Sequence, residues 1–491
     1  MKKIIFALIL GTALVSSCNE WLDENPKSVA AETFYNTPEE ADAAVLAPLN
    51  KFRSNFNNME FCTMQEACAD YSYGRGSWTE ISEYYGFKTA SNVTRAGGVW
   101  DALYKAVRDC NIAIARLPQA SGMNETQKAN YIGELRFIRA FSYYYLVRLF
   151  NDIPLRTELN MDQYNLGKTP ASDIYNYILE DLNYAAQNAP EKPRMSGTPC
   201  KWAAYSVLSD VYLQLGKYSE AANAAKTVID SGKYSLVQIS KPLDFEKVFG
   251  ANIAVSSEEI FYLKNDNTVS GQGWQFVMCC AHPKAKINGQ PMLGTGLGWY
   301  GIYSLETNKF VQEWNNADMR KEYNLLPLDF GLNAGCETYI FSKYFDPKAL
   351  DKVGAGNDWP VVRYPDVLLN YAEAVARQAN GATKEAMEAV NIIHRRAYGM
   401  DPKSPSEIDY QLDDYKALDK FMKLVIDEQG YECMNEAKRW LYLCRVGVAK
   451  ERIQEYKGKN VEQIHYLWPI PTTEFEYNEE LDESKDQNPG Y

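Results

Sequence analysis

From about Ala41 to Asp230, apolar residues recur with a helical period. The clearest run is Trp202 to Leu215, where Ala204, Val207, Leu208, Val211, Tyr212 and Leu215 fall at i, i+3, i+4, i+7, i+8 and i+11 and make one stripe. Gly216 ends that helix and another starts at Tyr218, running to Ile229. Tyr212, Gly216, Tyr218 and Ala221 have tetratricopeptide spacing: a small residue at the turn, a large one beside it, and alanine where two helices touch. A weaker hairpin spans Val367 to Ala397, with Gly381 at the turn and Ala386 beyond it. Further helices are predicted at Val99–Leu117, Glu125–Phe150, Ser172–Asn188, Asp414–Gln429 and Asn435–Arg445. Within the second of these, Leu135, Ile138, Phe141, Tyr145 and Leu149 form the apolar face. Arg136, Arg139 and Arg148 lie off it and are expected to pair with carboxylates of neighbouring helices.

Between about Gly232 and Pro360 the helical period is lost. Gly271–Phe276, Asn288–Tyr303 and Asp346–Asp358 carry irregularly spaced glycines. Gly294-x-Gly296-x-Gly298 matches neither a dinucleotide fingerprint nor a phosphate loop, since no Lys-Ser/Thr and no βαβ context follow. A loop region this long inside a folded chain points to function. Trp274, Trp299, Tyr300, Tyr303 and Trp314 lie in or beside it. A second aromatic, glycine-containing stretch near the N-terminus holds Tyr71, Tyr73, Trp78, Tyr84 and Tyr85.

The chain opens with Lys2 and Lys3 followed by an apolar run from Ile4 to Val15, too short to span a bilayer, so residues 1–17 read as a signal peptide. Val15-Ser16-Ser17-Cys18 resembles a bacterial lipobox, with cleavage just before Cys18 and acylation of that cysteine. Several acyl chains at ~0.8 kcal/mol per buried CH₂ would hold the protein firmly on a membrane. An ordinary secretory cleavage site that happens to precede a cysteine is the alternative reading.

Charge and chemistry narrow the classes. A net charge of −13 argues against a nucleic-acid binder. The three histidines, His282, His394 and His465, are far apart and in no metal-ligand spacing. With Cys18 set aside, nine of the ten cysteines remain, an odd and scattered set that does not read as a disulfide framework. No Gly-x-Ser-x-Gly, His-Glu-x-x-His or Cys-x-x-Cys string occurs, and no carboxylate pair sits in a recognisable catalytic string, so neither catalytic residues, a cofactor nor a metal is expected. Tyrosine outnumbers phenylalanine 35 to 19, and an aromatic with a polar tip suits a binding face.

Several segments together carry a resemblance. They are Cys18–Pro26 (CNEWLDENP), Glu32–Val45 (ETFYNTPEEADAAV), Gly133–Leu155 (GELRFIRAFSYYYLVRLFNDIPL), Trp359–Ala374, Val390–Ala397, Asp427–Arg445 (DEQGYECMNEAKRWLYLCR), Tyr466–Pro471 and the terminal Gln487–Tyr491. In this order they resemble the SusD/RagB family of outer-membrane, nutrient-binding lipoproteins of Bacteroidetes. In Asp427–Arg445, Glu428, Glu432, Glu436, Arg439 and Arg445 fit the family's pattern, whereas Gln429, Cys433, Ala437 and Tyr442 depart from it and put local ion pairs in doubt. The resemblance implies a mainly α fold, a superhelix of four tetratricopeptide-like hairpins with a loop-rich variable region. The expected layout is a signal peptide at 1–17 and one SusD-like domain at 18–491. Its helical scaffold would occupy about 38–231 and 361–450, its loop-rich ligand region about 232–360 and its tail 451–491. It also implies a SusC-like TonB-dependent transporter as partner and a lipid-anchored place on the outer membrane, facing the cell exterior.

A soluble oligosaccharide offers apolar C–H faces for aromatic rings and hydroxyls for carboxylates, amides and guanidinium groups. The expected ligand residues are Trp78, Tyr84, Trp274, Trp299, Tyr300 and Trp314, with Asp70, Arg75 and Asn92 as polar candidates. Trp100, Trp202 and Trp440 lie on periodic helices and are assigned to packing. Some RagB-like relatives bring peptides to their transporter, so a peptide ligand is the alternative, and a surface glycoside hydrolase ranks last.

Overall fold

The computed structural model of the chain describes residues 34–56, 58–294, 296–329, 331, 337–350 and 354–491. Residues 1–17, expected to be a signal peptide, and Cys18 lie outside the described residues.

The helical scaffold is mainly α. Its longer helices are α1 (Pro38–Lys51), α2 (Glu60–Ala67), α3 (Ala90–Arg116), α4 (Glu125–Phe150), α5 (Ala171–Asn188), α6 (Lys201–Gln214) and α7 (Tyr218–Asp230). After the loop-rich stretch come α8 (Tyr364–Ala379), α9 (Lys384–Ala397), α10 (Leu418–Glu432), α11 (Arg439–Val446) and α12 (Ala449–Lys457). From α3 to α7 each helix packs against its predecessor in the chain, and α8 returns to pack on α7 before α9 folds back on it. Alternating helices stacked in this way bury a continuous core that no single hairpin could make. Phe137, Ile138 and Phe141 of α4 sit in its centre, and a second cluster gathers Leu368, Val390, Phe421 and Val425 of α8, α9 and α10.

Local chemistry sets the helix ends. Asn124 caps α4 by accepting from the Gln127 amide at 2.9 Å, and the Gln127 side chain accepts from the Asn124 amide at 3.0 Å, so two otherwise orphaned donors are satisfied. Gly133 lets α4 pass the end of α5: a Cβ there would lie 2.6 Å from the Ala189 nitrogen. The one large boundary difference is α3, which begins at Ala90 and not at Val99. Its first turns are polar and glycine-containing (SNVTRAGG), so they carry no apolar stripe to read. They are held by contacts of Asn92 and Arg95 described below.

The scaffold arginines pair as expected. Arg139 is buried and bonds Asp181 at 2.7 Å, while Arg148 lies 3.8 Å from Asp210. A larger network joins the loop-rich region to α10, to the turn after it and, through Arg396, to α9. Arg363 meets Glu258, Glu432 and Glu436, Arg320 meets Asp318, Glu428 and Glu432, and Lys343 meets Glu436 at 2.6 Å. All of these groups are buried, so each charge depends on its partners to offset its desolvation.

One short strand, β1 (Tyr73–Gly74), lies near the N-terminus, and others run through or close the loop-rich stretch: β2 (Glu259–Leu263), β3 (Ile302–Leu305), β4 (Leu325–Pro327), β5 (Thr338–Phe341) and β6 (Trp359–Arg363). Antiparallel pairing gives one sheet in the order β1-β3-β5-β4 and a second of β2 and β6. β6 runs directly into α8, which ties the loop layer to the superhelix. Among the described residues no cysteine is joined in a disulfide, and most are buried, Cys279 and Cys280 included.

Candidate ligand-binding surface

The two aromatic stretches singled out in the sequence meet across the β1–β3 ladder. Tyr73 pairs with Tyr303 and Gly74 with Ile302, and the Arg75 amide donates to the Gly301 carbonyl at 2.7 Å. Gly74 is required there, because a Cβ would lie 2.4 Å from the Trp78 carbonyl oxygen. The loop ahead of β3 is fixed from behind. The Trp299 amide donates to Met278 at 2.6 Å and the Tyr300 amide to Ala281 at 2.9 Å. Gly298 has φ 140° and passes so close to the Ala281 carbonyl that a Cβ would sit 2.3 Å from its oxygen. Tyr300 itself is held at φ 40°, a conformation that side chains rarely adopt and that persists only where surroundings impose it.

The result is a small aromatic surface. Trp299 is 48% exposed. Beside it, the Arg75 guanidinium lies 3.9 Å over the Tyr300 ring and its Nη1 is 3.4 Å from the Trp299 carbonyl. The His282 ring also packs against Tyr300, at 4.4 Å. Burial, followed by the charges of Lys284 and Arg75, lowers the His282 pKa, so the imidazole is neutral at physiological pH. An open indole beside a cation-capped phenol can stack a flat apolar face and donate hydrogen bonds at its edge.

The other expected ligand residues are not on this surface. Trp78 is buried: the Arg95 guanidinium covers one face at 3.9 Å, and the indole edge rests on Gly301. Asn92 is buried and structural, donating to the Ser77 carbonyl at 2.9 Å and accepting from Arg95 at 2.7 Å. Together, Asn92 and Arg95 fasten the polar start of α3 to the underside of the aromatic surface. Tyr84 is buried against Trp440 and His465. Trp274 is fully buried between Phe276 and Tyr344. Trp314 is buried and stacks on Tyr431 at 4.7 Å. Asp70 is fully buried and receives Arg439 at 2.8 Å and Arg452 at 2.8 Å. Burial alone would raise the Asp70 carboxyl, but these two guanidinium groups more than offset it and hold the pKa well below the usual range. Of the nine expected residues the structure therefore brings together Arg75, Trp299 and Tyr300, with Trp78 and Asn92 beneath them.

Arg95 and His282 were missed. Arg95 stands one helical turn after Asn92, a signal that was legible only if α3 was known to start before it. His282 follows the Cys279-Cys280 pair, and nothing in its spacing marks it. Among the described residues no group of three or more His, Cys, Asp or Glu side chains is placed to hold a metal ion. No helix among them is long and apolar enough to cross a membrane.

Fold and surface define a helical-superhelix protein whose inserted loops carry an exposed aromatic face. Residues 20–213 match the family described as starch-binding associating with outer membrane, and residues 327–491 match the SusD family. The chain belongs to the SusD family, and the two matches leave residues 214–326, most of the loop-rich stretch, between them. It is 27% identical to SusD-like protein P2 of Formosa agariphila, over 100% of both chains. It is 23% identical to the starch-binding protein SusD of Bacteroides thetaiotaomicron, over 76% of this chain and 75% of that one. Among solved structures, a SusD homolog from Bacteroides thetaiotaomicron superposes with a TM-score of 0.78 at 21% identity, covering 94% of this chain and 98% of that one. A laminarin binding SusD-like protein superposes with a TM-score of 0.74 at 20% identity, covering 93% and 100%. At these identities the structural likeness establishes the fold.

Proposed function

We propose that the chain is a cell-surface lipoprotein that captures a soluble glycan on the Trp299–Tyr300–Arg75 surface and passes it to a SusC-like TonB-dependent transporter, with no chemical step of its own. The observation that carries this reading is Trp299, an indole left half open to solvent on a backbone fixed by three tight contacts while most other tryptophans are buried. A fixed, open ring costs little entropy to use and suits the C–H face of a sugar. The names of relatives that bind starch or laminarin support the ligand class. Anchoring through Cys18 would supply the membrane association that the family's description mentions; no helix among the described residues is long and apolar enough to cross a membrane.

The test is affinity electrophoresis of the leaderless protein through gels holding single polysaccharides. Retardation by at least one glycan is expected, and it should weaken in Trp299→Ala. No shift across a broad glycan panel, together with binding of peptides, would replace the reading with a peptide receptor using the same transporter. Expression of full-length Cys18→Ala tests the anchor: the variant should leave the membrane fraction, and unchanged fractionation counts against lipidation.

A further inference from the structure

A cleft of about 340 Å³ opens between the loop after Glu313 and the α9–α10 end of the scaffold. Trp314, Asp318, His394, Tyr398, Tyr410 and Tyr431 line it. It shares no lining residue with the Trp299 surface. A second cleft, of about 620 Å³, adjoins it and shares Glu313, Trp314 and Asn315. Tyr339 of β5 lines this second cleft. Since β5 is two strands from β1 in the sheet, the clefts lie toward the same layer as the aromatic surface, at ~4.8 Å per strand.

The walls are unusual for empty space. Trp314 is 1% exposed, yet its indole Nε1 has no hydrogen-bond partner; His394 is 6% exposed, and its Nδ1 has none either. Glu428 Oε2 lies 3.9 Å from Nδ1, too far for a hydrogen bond, and that oxygen is also without a partner. Buried polar atoms in this state cost free energy unless something supplies the missing bonds. The donors and acceptors are of mixed kind: an N–H from the indole, and a neutral imidazole, since burial and Arg320 hold His394 down to about 4. The surrounding charges are spent. Asp318 is clamped by Arg320 at 2.6 Å, Glu432 is shared among Arg320, Arg363 and Arg396, and burial pushes Glu428 up to about 7. Glu313, at the mouth, would repel an anion.

We infer that this cleft is a second binding subsite that takes one neutral, hydroxyl-rich ring, a single sugar residue. A hydroxyl both donates and accepts, so one ring can satisfy Nε1 and Nδ1 at once, and tyrosine edges meet its C–H faces. The volume suits one residue and is near the lower end for small-ligand pockets, ~300–1,000 Å³. The inference rests on the glycan reading given above and adds a pocket-type site to its open face.

The test uses the leaderless full chain labelled with 5-fluorotryptophan, with the Trp314 resonance assigned by its absence in Trp314→Phe. D-Glucose, D-galactose, D-mannose and D-xylose are added separately to about 50 mM, enough to fill a single-ring site with a Kd of roughly 1–10 mM. At least one neutral sugar should move the Trp314 signal, and should still do so in Trp299→Ala. His394→Phe keeps the ring packing against Tyr398 and Tyr410 and should weaken that response tenfold or more. Glucuronate and glucosamine serve as charged comparators, and a response to either alone overturns the neutral-ring assignment. Silence of Trp314 in a protein that still holds its polysaccharide through Trp299 overturns the second subsite and leaves the first reading standing. A protein that retains no glycan by either route overturns both.

Discussion

Trp299→Ala removes the ring on which the proposed capture rests, and its cost can be worked from exposure. A tryptophan side chain presents roughly 200 Å² when open, and here 48% of the residue remains exposed. A ligand laid on one face covers about half of that remainder, or roughly 50 Å², which at ~25 cal/mol per Å² is a little over 1 kcal/mol. Loss of that contact should weaken glycan binding about tenfold. Folding should change far less than for a buried ring, because about half of the residue is already in water. The assay is affinity electrophoresis over a series of polysaccharide concentrations, paired with a thermal melt. Trp274→Ala is the contrast. That ring is fully buried, and its truncation should lower stability by ~3–5 kcal/mol. A Trp299→Ala protein with unchanged affinity and an unchanged melt would show that the open indole does not touch ligand, and the capture surface would have to lie elsewhere.

Asp70→Asn leaves Arg439 and Arg452 buried without their carboxylate and should cost ~3–5 kcal/mol in urea unfolding, or prevent folding altogether; a change under about 1 kcal/mol would mean the pair is not buried as described. Gly298→Ala forces a side chain into the Ala281 carbonyl, so it should displace Trp299 and reduce glycan retention at least as much as Trp299→Ala, and full retention would sink the account of the loop. Two buried glutamates should titrate in opposite directions in a carboxyl ¹³C titration assigned by Gln substitution. Burial would raise Glu436, but Arg363, Lys343 and Lys438 hold it down at about 2; burial pushes Glu66 up to about 7 in spite of its bonds from Tyr71 and Ala437. The stability contributed by Glu436 is thus present above its unfolded pKa near 4.5 and lost as pH falls toward 2, whereas that of Glu66 is present below 4.5 and lost as pH rises toward 7. Glu436 protonating above pH 4, or Glu66 fully ionised at pH 5, would contradict these environments.

The scaffold was legible because its signal is local. The stripe over Trp202–Leu215 predicts a helix within a residue of α6, and Glu125–Phe150 coincides with α4, since amphipathic periodicity and capping residues act over a few positions. The polar start of α3 was not legible, because what stabilises it is tertiary. Asn92 and Arg95 bond to each other, and both reach back to an earlier segment, to Ser77 and, for Arg95, to the Trp78 ring, contacts that skip most of the intervening chain. The buried charge network was half legible. Glu428, Glu432, Glu436, Arg439 and Arg445 were marked by their pattern, but their partners Arg320, Arg363 and Asp70 come from other segments, and pairing across such distances leaves no trace in spacing.

The same reasoning explains why the aromatic loops were found although most of their rings are not on the open surface. The sequence told that Trp78, Trp274 and Trp299 stand among glycines, and that all four rings, Trp314 included, lie outside the periodic helices; it could not tell inside from outside. In a helix, the neighbours at i+3 and i+4 reveal which face a ring is on, whereas in an irregular loop the facing is set by which carbonyl each amide finds. Trp299 is open because its own amide is spent on Met278 and the next on Ala281, which turns the segment's back to the core. Trp274 is closed because its amide and carbonyl both bridge to Ala355, which places the ring between Phe276 and Tyr344. Both are glycine-flanked tryptophans in the sequence. Their opposite fates follow from one long-range bridge each, so for rings of this kind the backbone pairing partner has to be known before a binding role can be assigned.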